Sequence, residues 1–192
     1  MKLGELHETV ILIDVEFLNE KIFENLSFYQ KLYPKKEFQP IDPGDLIFRF
    51  AENSRLIDEG QTVNVIFTYS LPTETLSFCS PSHLLYELDN RRLSTEKGTF
   101  LLKSFFADEG ESTAEHFINV FQLVCFDKNV RKIVLVEDSP ELNDELEKIE
   151  HLKEWDLFLI KNYYDSNISL PIKYVNIDYI IAYALGLNEN EL

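Results

Sequence analysis

Short β-rich runs recur along this chain at Val10–Ile13, Val63–Tyr69, Thr99–Phe106, Ile133–Val136 and Leu157–Ile160, and most intervals between them carry apolar residues at helical spacing. A parallel strand pair cannot be closed by a tight turn, so strands that alternate with helices argue for a parallel sheet with helices laid over it. The fold class that follows is α/β: a three-layer sandwich with a mainly parallel central sheet. No internal repeat, low-complexity linker or obvious boundary interrupts residues 1–192, and 45% hydrophobic residues are enough to fill a core, so the expectation is one domain.

Helix signals fill the gaps. Phe17, Ile22, Leu26 and Tyr29 predict one helix; Asp42 as cap and Pro43 at the first helical position predict a second, with Leu46, Ile47, Phe50 and Ile57 on its apolar side. A third is expected from about Ser82, carrying Leu84, Leu85, Leu88 and Leu93. Ser112 opens a fourth, with Phe117, Val120, Phe121 and Val124 on one face. Ser139 and Pro140 open a fifth over Leu142, Leu146 and Ile149, and a last helix runs from about Asn176 to Leu185 before Gly186. Residues 33–39, with Pro34, Lys35 and Lys36, read as a mobile loop.

In such a sheet the carboxyl ends of the parallel strands face one edge, where α/β proteins place their chemistry. Asp14 ends the first run. Far downstream, Val136 leads into Glu137, Asp138 and Ser139 at the end of another. Acids a hundred residues apart can therefore share one cleft and hold a hard divalent cation.

The net charge of −16 and pI near 4.6 argue against a surface that grips duplex DNA through phosphate neutralisation. Lys31, Lys35, Lys36, Arg49, Arg55, Arg91, Arg92 and Lys97 are candidates for a local basic patch, weighed against scattered solvated charges. Cys79 and Cys125 suggest neither a disulfide framework nor a zinc site, and Cys125 falls on an apolar helical stripe. The four histidines, His7, His83, His116 and His151, lack two-ligand spacing. Tyr163 and Tyr164 in a polar stretch are candidates for stacking a base. With neither a signal peptide nor a membrane span in view, a cytoplasmic setting is expected.

The order of elements and acids resembles the PIN-like nucleases, and more narrowly their NYN branch. Ile13-Asp14-Val15-Glu16 matches that family's opening motif, Glu115 stands where an acid starts a central helix, Val136-Glu137-Asp138-Ser139 occupies the third acidic segment, and Asn176-Ile177-Asp178-Tyr179-Ile180 is similar to its closing helix. The resemblance implies a PIN/NYN-like fold and metal-dependent RNA cleavage, and single-stranded RNA is the expected substrate because the chain lacks the basic surface of a duplex binder. Asp14, Glu115 and Asp138 would be catalytic; Asp14, Asp138, Glu115, Glu16 and Glu141 would ligate Mg2+ or Mn2+, and the metal would activate water for attack on phosphorus. Departures stand beside the matches. Phe17 replaces the family's Asn, Val136-Glu137 its Ser-Gly, and Pro140 its second Asp, for which Glu141 is the substitute by a one-residue shift.

Each acid also has a structural reading. Ser112-x-x-Glu115 is a capping box, and Asp138 and Asp178 suit helix N-termini. An acid such as Asp14, closing a buried strand, must find a partner or water. Two further readings stay open: a catalytically degenerate PIN/NYN-like module that binds a protein or nucleic-acid partner, and a haloacid-dehalogenase-like phosphatase, which the chain resembles in its acid-x-acid strand end but departs from at Glu16.

Overall fold

The fold is taken from a computed structural model, which describes residues 3–55, 60–71, 73–95, 97–149, 154–162 and 172–192. Its strands are β1 (Thr9–Asp14), β2 (Gln61–Tyr69), β3 (Arg92–Ser94), β4 (Gly98–Phe106), β5 (Lys132–Val136), β6 (Asp156–Lys161) and β7 (Lys173–Asn176). They form one sheet in the order β3-β4-β2-β1-β5-β6-β7. All pairs are parallel except β3 with β4. The five runs expected as strands are β1, β2, β4, β5 and β6.

β1 is buried along its whole length because helices cover both sheet faces. Side chains alternate across a strand, so Ile11 and Ile13 enter one core while Val10 and Leu12 enter the other. The first core packs the sheet against α1 (Val15–Leu32), α2 (Pro43–Asn53) and α5 (Ile177–Ala184); the second packs it against α3 (Thr113–Cys125) and α4 (Pro140–Lys148). Among the described residues no helix is long and apolar enough to cross a membrane.

The caps form where the sequence places them. Asp42 accepts from the amides of Gly44 and Asp45 with Pro43 in the first turn, Ser139 accepts from Leu142 N at 3.1 Å, and Asn176 accepts from Asp178 N at 2.7 Å. Ile57, assigned to the apolar side of the second helix, lies outside the described residues, as do His151, Tyr163 and Tyr164.

The helix expected from Ser82 is corrected. Only Leu84–Leu88 is helical, as a five-residue π-helix, and Leu93 belongs to β3. Leu84 and Leu88 are buried, whereas Leu85 and Tyr86 are exposed, so the apolar face is too narrow to hold a longer helix in place. Sequence reading also missed β3 and β7, which have three and four residues and too few positions for a period to register. The loop at 33–39 is tied to the C-terminal segment. Tyr33 Oη donates to the Glu191 carbonyl at 2.6 Å, and Lys36 Nζ pairs with the Glu191 carboxylate at 2.7 Å.

Candidate functional site

Apart from β3, the strands run β4-β2-β1 to one side and β5-β6-β7 to the other, so the chain order reverses between β1 and β5. A crevice outside the carboxyl ends at such a switch point is where open α/β sheets bind ligands. Asp14 is the last residue of β1, and Glu137 and Asp138 follow the last residue of β5. The register pairs Ile13 with Val136, which brings Glu137 level with Asp14 one step further on.

Asp14 is 4% exposed and caps α1, its Oδ1 accepting from Phe17 N at 2.9 Å. Burial raises its pKa to about 6; the Glu16 charge adds to the rise, while the Phe17 hydrogen bond and the nearby His116 oppose it. Glu137 is equally buried, and its Oε2 has no hydrogen-bond partner among the described residues. Burial lifts this carboxyl to about 7, hydrogen bonds from Ser139 pull it down, and the charges of Asp14 and Asp138 push it further up. Near neutral pH both carboxyls therefore bind protons that ordinary acids have released.

Asp138 has a different partner. Lys161, the last residue of β6, places Nζ 3.3 Å from Asp138 Oδ1, with the lysine side chain only 5% exposed. Its ammonium also lies 5.4 Å from the centre of the Tyr174 ring. A buried ammonium needs a counter-charge, and Asp138 supplies one.

Glu16, in the first turn of α1, is held by hydroxyls. It accepts from Ser70 Oγ, from Thr73 Oγ1 at 3.3 Å and from Thr113 Oγ1 at 2.7 Å. The carboxylate thus ties α1 to the segment after β2 and to the start of α3. Glu115 lies apart from the crevice acids in its hydrogen bonding. Its exposed carboxylate accepts from Ser112 N at 3.0 Å and Ser112 Oγ at 2.9 Å, completing the capping box, and these bonds lower its pKa. Glu141 is exposed in the first turn of α4, and Asp178 accepts from Asn25 Nδ2 at 2.8 Å at the start of α5.

The residue after Glu115 turns inward. His116 is 2% exposed, its Nδ1 lies 2.9 Å from Glu111 Oε2, and its Nε2 is buried without a hydrogen-bond partner among the described residues. The glutamate is held in turn by Asn119 Nδ2 at 2.6 Å and Asp108 N at 3.1 Å.

These donors fit a magnesium or manganese ion poorly. Such ions take oxygen ligands in a near-octahedral shell. Here Lys161 engages Asp138, hydroxyls engage Glu16, and the helix cap engages Glu115. Among the described residues no three His, Cys, Asp or Glu side chains group so as to hold an ion. Among the described residues, three of the eight candidate cations for a basic patch are ion-paired: Lys36 with Glu191, Arg49 with Asp45, and Lys97 with Glu52.

The model of a family of unknown function, DUF6621, matches residues 4–192. The chain belongs to the DUF6621 family. The same comparisons match it to no curated protein and to no solved structure. In this DUF6621 member the residues that sequence reading missed are Glu137, His116 and Lys161. Strand parity offered a signal for the first, since Val136 and Ile13 are the final apolar positions of their runs and the next residues are Glu137 and Asp14. Lys161, a basic residue closing an apolar strand, was a signal of the same kind. Nothing local marked His116, which is one of several residues on the sheet side of α3.

Proposed function

We propose that this chain is a PIN/NYN-like module that binds a partner and has lost metal-dependent cleavage. The observation that carries this reading is the buried Lys161 ammonium 3.3 Å from Asp138, a fixed positive charge on one of the two principal ligands that cleavage requires. The strand order and the switch-point position of Asp14 and Asp138 support descent from the nuclease scaffold. The commitment of Glu16 and Glu115 to hydroxyls and a helix cap supports loss of the metal site.

The phosphatase reading draws less support. Asp14 would have to act as a nucleophile, yet its carboxyl caps α1 and holds its proton up to about pH 6. A ribonuclease with Asp14 and Asp138 as metal ligands and Glu115 orienting water is the rival outcome, favoured by the meeting of Asp14, Glu137 and Asp138 at one edge.

The test is single-stranded RNA turnover with millimolar magnesium or manganese, together with the melting temperature in each metal. The module reading expects wild type, Asp14→Ala and Asp138→Ala to be equally inactive, with no metal-dependent rise in melting. Chelator-sensitive cleavage lost in both variants would establish the ribonuclease instead.

A further inference from the structure

At the amino edge of the sheet a cavity of about 300 Å³ is lined by Cys125, Asp127, Lys128, Arg131, Glu154 and Trp155. That volume is at the lower end of the range for small-ligand sites. Arg131 directly precedes β5 and Trp155 directly precedes β6, and the Arg131 carbonyl accepts from Asp156 N at 2.8 Å where the two strands start. Cys125 closes α3, with Asp127 and Lys128 in the segment that follows. Because β1, β5 and β6 are parallel, the crevice acids stand at the opposite ends of the strands, and none of them belongs to this cavity.

Lys128 and Arg131 are exposed, and among the described residues neither forms an ion pair. The Arg131 guanidinium donates from Nη1 to the carbonyl of its neighbour Val130 at 2.8 Å, which leaves its other N–H groups for a ligand. With 34 acids against 18 lysines and arginines, these unpaired cations do not reflect a shortage of carboxylates. Trp155 is half-buried: it packs against the second core and also lines the cavity, so its ring is held in place. Burial pushes the Cys125 thiol up to about 12, so that wall carries no charge. A fixed indole offers a stacking surface to a planar base, and a guanidinium and an ammonium beside it match phosphate oxygens. We propose that this cavity binds a nucleotide, its base stacked on Trp155 and its phosphate held by Lys128 and Arg131. Asp127, whose Oδ1 accepts from Asn129 N at 2.9 Å, and Glu154 add negative charge to the wall, which opposes a run of phosphates and fits the site to a monophosphate. A free mononucleotide and one residue of an RNA strand offer the same chemistry.

Trp155 is the single tryptophan of the chain, so its fluorescence reports on this cavity without a label. The full chain is titrated with adenosine monophosphate, adenosine, inorganic phosphate and a short oligoadenylate. Adenosine monophosphate should quench the indole emission saturably, and adenosine should bind about tenfold more weakly. Lys128→Gln and Arg131→Gln alter exposed side chains; each should weaken adenosine monophosphate several-fold, leave adenosine binding unchanged and melt near wild type. An oligoadenylate that binds as well as the mononucleotide assigns the site to an RNA strand, and exclusion of the oligomer assigns it to a free nucleotide; both outcomes support the proposal. Absence of saturable quenching, equal affinity for adenosine and its monophosphate, or wild-type affinity in both variants overturns it. Quenching by inorganic phosphate as strong as that by the mononucleotide also overturns it, by leaving an anion site with no place for a base. Should a variant fail to fold, the wild-type comparison of adenosine with its monophosphate still decides. RNA cleavage at the carboxyl edge would remove the module reading and leave the nucleotide site standing, since no crevice acid enters it.

Discussion

Asp14 and Glu137 close the adjacent parallel strands β1 and β5 at the same level, each only 4% exposed, and each raises its affinity for protons. An ordinary surface acid at either position would be charged throughout the neutral range. Here burial holds the pair partly protonated, helped by the Glu16 charge at Asp14 and by the Asp14 and Asp138 charges at Glu137.

That relationship sets a pH dependence. Both acids titrate higher in the folded chain than in the unfolded one, so the native state holds extra protons from about pH 4, the unfolded value, up to the folded values of about 6 and 7. Their contribution to stability falls as pH rises through that window and is constant above it. Asp14→Asn keeps a competent N-cap and Glu137→Gln keeps the shape, while each removes a buried charge. At about pH 8 each variant should be more stable than wild type by about 1–2 kcal/mol, and the advantage should vanish near pH 4. Urea unfolding at the two pH values measures this; an equal effect at both would locate the cause in packing.

Lys161 answers the negative charge at this edge. Lys161→Met would leave Asp138 beside Glu137 without its cation, at a cost of about 2 kcal/mol, less than for a fully buried pair because Asp138 is 22% exposed. Manganese should then raise the melting temperature of Lys161→Met but not of wild type. Differential scanning calorimetry with and without the metal checks both points, and a metal response in wild type would show that the ammonium does not stand in for an ion.

Glu16 links three segments through hydroxyls. Glu16→Ala removes the acceptor shared by Ser70, Thr73 and Thr113 and should destabilise the chain by about 1–2 kcal/mol. The loss should show as a lower urea midpoint with an unchanged slope.

The capping box at the start of α3 separates a structural acid from a catalytic one. Ser112→Ala should cost about 1 kcal/mol, whereas Glu115→Gln can still accept from the Ser112 amide and should melt near wild type. A metal-ligating Glu115 would give another pattern, with Glu115→Gln abolishing any metal-dependent RNA turnover.

Much of the local structure was legible because it depends on residues close in sequence. The Asp42-Pro43 start, the Ser112-x-x-Glu115 box and the Ser139-Pro140 start are set within one helical turn, and each forms. The stretch from Ser82 was misread because apolar spacing alone does not show whether a neighbour will cover it. Leu84 and Leu88 found cover; Leu85 and Tyr86 did not.

By itself, the sequence determined the strand-and-helix alternation, the caps, and the placement of Asp14 and Asp138 at strand ends, because backbone preference and side-chain period are local properties. Only the tertiary structure decided what those acids meet. Register set Glu137, rather than Asp138, level with Asp14, and the packing of β6 against β5 carried Lys161 to Asp138. The start of α3 kept Glu115 in its own cap and buried His116. Burial and charge pairing depend on which segments share space, and residues far apart in sequence acquire that relation only when the sheet forms.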